Sequence, residues 1–123
     1  IWPRLSNLYD FIDTRLSEEG LVIQQPGDWI FIDWAEMDKE GPIAAEQILL
    51  WQTEVCMDRL QRLLGQEDEA HLQKAEHLKA LIMDRYWSAD RTAFVDSYTS
   101  GTTIQYSVIH SDTRIILDNQ GII

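Results

Sequence analysis

The stretch PIAAEQILLWQTEVCMDRLQRLLG, Pro42 to Gly65, decides the fold. Its apolar residues Ile48, Leu49, Val55, Cys56, Leu60, Leu63 and Leu64 recur at helical spacing. Pro42 suits a first turn, where its missing N–H is one the helix could not pair anyway, and Gly65 suits the stop. The spacing predicts a long amphipathic helix over 42–65. Cys56 is the only cysteine, so no internal disulfide can form, and its place inside this pattern predicts a buried thiol.

Further helices flank this one. Upstream, Leu5, Leu8, Phe11, Ile12 and Leu16 predict a first amphipathic helix over 4–19, stopped by Gly20. Downstream, a third helix starts near Glu67 with acidic residues in its first turn, and carries Ala75, Leu78, Leu81, Ile82 and Tyr86 on one face as far as Trp87. Residues 88–103 are rich in Ser, Thr, Asp and Gly and read as a turn, a short exposed strand at Ala93 to Val95, and a loop. From about Ile104 to Asn119 the pattern is helical again, with Gly121 placed for a cap. Trp2, Trp51 and Trp87 lie on or beside the apolar stripes and are expected in the core. The fold class is mainly α, a helical-hairpin array over a single segment, 1–123, with its long loops at one end and a short turn near Gly65 at the other.

The first long loop is where function is expected. Pro26, Gly27 and Gly41 punctuate it, and between them runs GDWIFIDWAE, Gly27 to Glu36, with a short extended piece at Ile30 to Ile32. Two Asp-Trp pairs stand in this run, Asp28 with Trp29 and Asp33 with Trp34. An indole covers the apolar face of a pyranose while a carboxylate accepts hydrogen bonds from its hydroxyls, so the composition suits a sugar pocket. Each of these residues also has a plainer reading: a Trp here can plug the end of a helical array, and an Asp can cap a loop. Glu36 sits beside Asp38, Lys39 and Glu40 and reads as part of a solvated loop.

Composition narrows the classes. The formal net charge is −11 with the acidic residues spread along the chain, which disfavours binding to phosphate backbones, so no nucleic-acid partner is expected. No apolar run approaches the roughly 20 residues of a membrane span. His71, His77 and His110 are not spaced for a shared metal site, and neither a metal nor a cofactor is expected. Ser107, His110 and Asp112 lack the glycines of a nucleophile elbow and crowd too closely for a triad. The chain opens on Ile1, Trp2 and Pro3 and reads as a piece of a longer polypeptide.

The run Phe31-Ile32-Asp33-Trp34, then Gly41-Pro42, then a long helix ending Arg62-Leu63-Leu64-Gly65, resembles the six-hairpin catalytic domain of bacterial α-L-rhamnosidases, glycoside hydrolase family 78. The later order of a helix ending Tyr86-Trp87 and then Ala93-Phe94-Val95-Asp96-Ser97 is similar to the same domain. The resemblance implies a partial (α/α)6 barrel and inverting hydrolysis of terminal α-L-rhamnosyl groups. An acid and a base carboxyl would then stand roughly 6.5–9.5 Å apart to admit a water. The family's acid motif lies upstream of this region and its base downstream, so this segment would line the pocket without supplying the catalytic pair. Trp34 would pack on rhamnose and Asp33 would bind a hydroxyl or orient the loop, with Asp28 and Trp29 as the alternative register. His110 falls where a hydroxyl-binding role or a structural one is expected. The substrate would be a rhamnoside, and an isolated segment would dimerise through helix faces that had lost their neighbours.

Two other readings stay open. A non-enzymatic helical interaction module could use the Trp-rich loop for a protein partner, and it should show polar outer faces. Another six-hairpin glycosidase, glucoamylase-like or a glucuronyl hydrolase, would share the scaffold but not the sugar.

Overall fold

The computed structural model describes residues 1–32, 39–66 and 68–97. Over these residues the chain is mainly helical, at 53 %, with three helices, which bears out the α class. The order is α1 (Trp2–Asp13), α2 (Ala44–Leu63), α3 (Ala70–Arg85), β1 (Trp87–Ser88) and β2 (Ala93–Phe94).

Helix α2 lies where the apolar spacing predicts it. Its end is a Schellman turn: Gly65 adopts φ +70°, Gly65 N–H bonds the Arg62 carbonyl, and Gln66 N–H bonds the Gln61 carbonyl. Its start has no side-chain cap; instead Ala44 N–H bonds the Asp96 carbonyl at 2.8 Å, and Ile43 pairs with Ser97 in an antiparallel bridge. Helix α3 begins at Ala70, whose N–H bonds Asp68 Oδ1, rather than at Glu67. Helices α2 and α3 run antiparallel: Glu54 meets His71 near one end of the hairpin, and the Tyr86 hydroxyl bonds the Pro42 carbonyl at the other.

The core lies between these two helices and the hairpin that follows. Ile48, Trp51, Ala75, Leu78, Ile82, Tyr86, Phe94 and Val95 are buried there with Leu21. Strands β1 and β2 pair antiparallel in the register Trp87↔Phe94 and Ser88↔Ala93. The strand at Ala93–Val95 is therefore buried rather than exposed, because Phe94 packs on Trp87 and Val95 N–H bonds the Tyr86 carbonyl. Trp51 is in the core as expected, Trp87 packs against it, and Trp2 is half-buried.

Helix α1 departs from expectation. It stops at Asp13, six residues short, because Thr14 and Ser17 turn their hydroxyls onto the backbone at Phe11 and Leu21 and divert the chain. Leu16 then bridges to Val22, and Gly20, with φ +86°, serves this tight turn rather than a helix cap. The expected apolar stripe of α1 is also only partly inside: Leu8 and Phe11 are exposed, and Tyr9 is the buried residue.

The reason is polar. Glu54, with 0 % exposure, sits where all three helices meet. The Tyr9 hydroxyl of α1 donates to Glu54 Oε1, and His71 Nδ1 of α3 lies 2.7 Å from Oε2. Lys74 Nζ donates to the Tyr9 hydroxyl at 2.8 Å and to Asp13 Oδ1 at 3.1 Å. Tyr9 thus turns inward and carries the neighbouring Phe11 out. Helix α2 rotates with it, so Asp58 and Gln61 are buried while Cys56, Leu60, Leu63 and Leu64 are exposed. The buried thiol expected at Cys56 is thereby corrected.

Removing one partner from a buried, hydrogen-bonded charge cluster costs about 3–5 kcal/mol. Glu54→Ala is expected to lose that much in urea unfolding. Burial, then the bond to and charge of Glu54, raise the Tyr9 pKa above its ordinary 10.0. Folding therefore holds the phenol protonated, so its contribution is complete below pH 10 and is lost as pH rises further. Tyr9→Phe is expected to cost about 1–3 kcal/mol at neutral pH and to flatten the alkaline fall in melting temperature.

Candidate functional site

A cleft of about 410 Å³ opens between the end of α1, the loop over residues 22–30 and the first turns of α2. That volume lies within the range of small-molecule sites, roughly 300–1,000 Å³. The loop is held in place by its backbone. Gln47 of α2, with 0 % exposure, accepts from Val22 N–H through Oε1 at 2.8 Å and donates to the Val22 carbonyl through Nε2 at 3.0 Å. Ile23 N–H bonds the Arg15 carbonyl, which ties the loop to the end of α1.

The next residues form a type II turn. Pro26 occupies its second position, Gly27 takes φ +93° at the third, and Asp28 N–H closes onto the Gln25 carbonyl at 3.0 Å. The Asp28 carboxylate accepts from Gln25 N–H and pairs with the Arg15 guanidinium. Asp28 therefore faces the cleft already engaged, as a loop-fixing group. Trp29 follows at the rim, 87 % exposed, and stacks on Phe31 with ring centroids 5.7 Å apart. No strand forms at Ile30 to Ile32; the expected extended piece is absent there and the aromatic stack takes its place.

The cleft walls are apolar, with Phe11 from α1, Ile23 and Ile30 from the loop, and Leu49 from α2. Two polar groups in this lining are not satisfied. Gln24 Nε2 and Glu46 Oε2 are shielded from water and complete no hydrogen bond. Each such group costs about 1–3 kcal/mol. Burial raises the pKa of Glu46; the Gln24 amide partly lowers it again, and the charge of Asp28 adds to the rise.

Of the residues picked out in the sequence, the structure brings Asp28 and Trp29 into one cleft. Asp33, Trp34, Glu36, Ser107, His110 and Asp112, with the helix expected over 104–119, lie outside the described residues. Gln24, Glu46, Arg15 and Phe11 line the same cleft without having been singled out. Glu46 carries an ordinary sequence signal, an acidic residue in a helix first turn, so nothing in the spacing marks it. The other two described histidines are structural: His71 pairs with Glu54, and His77 Nε2 lies 3.0 Å from the Glu19 carbonyl. Among the described residues no group of three His, Cys, Asp or Glu side chains could hold a metal ion, and no helix is long and apolar enough to cross a membrane.

No protein-family model matches the chain, and none of the curated proteins matches it either.

A carboxyl whose pKa is raised on folding supports stability below its ordinary value of 4.5 and opposes it as pH rises through and above that value. Glu46→Gln is accordingly expected to melt at a higher temperature than the parent at neutral pH. The difference should shrink as the pH falls below 4.5, as followed by thermal melts across pH. A lower melting temperature at neutral pH would show that the carboxylate is satisfied in the folded chain.

Proposed function

We propose that this chain is part of a glycoside hydrolase that removes terminal α-L-rhamnosyl groups with inversion. In this reading the segment belongs to an (α/α)6 barrel and lines the pocket, and the acid and base lie elsewhere in the polypeptide. The observation that carries the reading is the cleft itself: Asp28 and Trp29 lie in an apolar hollow of about 410 Å³ with an exposed indole at its edge. Rhamnose carries a methyl group in place of a hydroxymethyl, so an apolar wall with few polar groups suits it better than it suits a fully hydroxylated hexose.

The outer surface also supports this reading. Leu49, Leu60, Leu63 and Leu64 are exposed on α2, with Leu8 and Phe11 on α1. A helix face of this kind is what further hairpins of a barrel would cover, whereas a self-sufficient interaction module should present polar outer faces. The antiparallel pairing of α2 with α3 supplies one hairpin of such an array. The resemblance of Phe31 to Gly65 and of Tyr86 to Ser97 to the rhamnosidase domain gives the sugar its name.

The test is an assay of the full-length protein on aryl α-L-rhamnoside beside the aryl glucoside and glucuronide. Turnover is expected on the rhamnoside alone. Trp29→Ala is expected to raise KM about three- to tenfold, the worth of one ring-stacking contact. A folded protein that turns over none of the three substrates would remove the hydrolase reading.

A further inference from the structure

We infer that Gln24 and Glu46 form a donor–acceptor clamp in the cleft for an uncharged ring ligand with two adjacent hydroxyls. This rests on reading the cleft as a carbohydrate site, and it names the groups that would hold the sugar and the charge class they admit.

The argument begins with which polar groups in the lining are already committed. The Asp28 carboxylate is occupied by Arg15 and by Gln25 N–H. The Thr53 hydroxyl donates to the Leu49 carbonyl at 2.9 Å, one turn back in its own helix. Gln24 Nε2 and Glu46 Oε2 remain, one a donor and the other an acceptor, neither with a partner in the fold. They belong to half-buried side chains that themselves line the cleft, so rotation of the amide and the carboxyl turns both atoms toward it. The two groups are neighbours, since each acts on the other electrostatically.

A pair of adjacent hydroxyls matches this set. One hydroxyl oxygen accepts from Gln24 Nε2, and the other hydroxyl donates to Glu46 Oε2. The ring that carries them lies against Phe11, Ile23 and Leu49. Charged ligands fit poorly for separate reasons. A carboxylate on the ligand meets Glu46 and Asp28, and the one cation in the lining, Arg15, is already paired with Asp28. An ammonium group would suit Glu46 but would set its own N–H groups against the Gln24 donor. The clamp therefore selects neutral pyranosides and rejects uronates.

Calorimetric titration of the full-length protein with methyl α-L-rhamnoside, α-D-mannoside, α-D-glucoside and α-D-glucuronide tests this, with melting curves confirming that each variant is folded. At least one neutral glycoside is expected to bind and the glucuronide is not. Gln24→Ala and Glu46→Gln are each expected to weaken binding about tenfold, the loss of one hydrogen bond to the ligand. Unchanged affinity in both folded variants, glucuronide binding as tight as that of the neutral sugars, or no binding of any of the four would overturn the clamp. Binding of the mannoside or glucoside alone, sensitive to both substitutions, would uphold the clamp and count against the rhamnoside reading. Rhamnoside binding insensitive to both would do the reverse.

Discussion

The structure depends on a carboxylate in its interior. Glu54 has no contact with water, and an unpaired charge there would cost more than a small domain has to spare. It is tolerated because the Tyr9 hydroxyl and the His71 ring each satisfy one of its oxygens, and because Lys74 holds the Tyr9 hydroxyl in place from the other side. Tyr9 belongs to α1, Glu54 to α2, and His71 and Lys74 to α3. Apolar contacts are non-directional and would allow these helices to slide or rotate against one another. The bonds to Glu54 admit one rotation of each.

Consequences of that rotation run outward to both surfaces. On one side it sets Trp51 against Ala75, Leu78 and Ile82, which makes the core. On the other it turns Leu49, Cys56, Leu60 and Leu63 away from the interior. The cleft forms at the boundary, where the outward-facing Phe11 and Leu49 are roofed by the loop that Gln47 pins at Val22. Gln47 works by the same principle as Glu54, with a neutral group. A buried side-chain amide satisfies both backbone groups of one loop residue and so fixes where the loop may go.

The loop is anchored at its start by the Leu16–Val22 bridge, near its middle by Arg15 with Asp28, and at its end by Tyr86 with Pro42. Glu19 extends the fastening across to α3, where Arg85 grips its carboxylate and holds it below the usual carboxylate range. A frame this well tied makes the two orphaned groups at Gln24 and Glu46 stand out. A rigid scaffold that leaves polar atoms unpaired in one apolar hollow carries its local instability at the place where a ligand would relieve it.

The sequence by itself determined the helices and their order. Apolar residues at a spacing of three and four, with Pro42 and Gly65 at the ends, specify α2 almost to the residue, because backbone geometry makes that period local. The burial of Ala75, Leu78, Ile82 and Tyr86 was legible for the same reason, and the Asp28–Trp29 pair was legible by composition. What only the tertiary structure decided was which face of α1 and α2 turned inward. Periodicity chose the leucines, but it measures greasiness along a helix and is blind to a hydrogen bond made across forty-five positions, as between Tyr9 and Glu54. The strand at Ala93–Phe94 went inside for a similar reason, since its burial depends on Trp87 and Tyr86 folding back over it. The cleft belongs to this second kind of information: Phe11, Gln24 and Glu46 are ordinary residues in three separate segments, and their meeting was set by long-range bonds that no local pattern records.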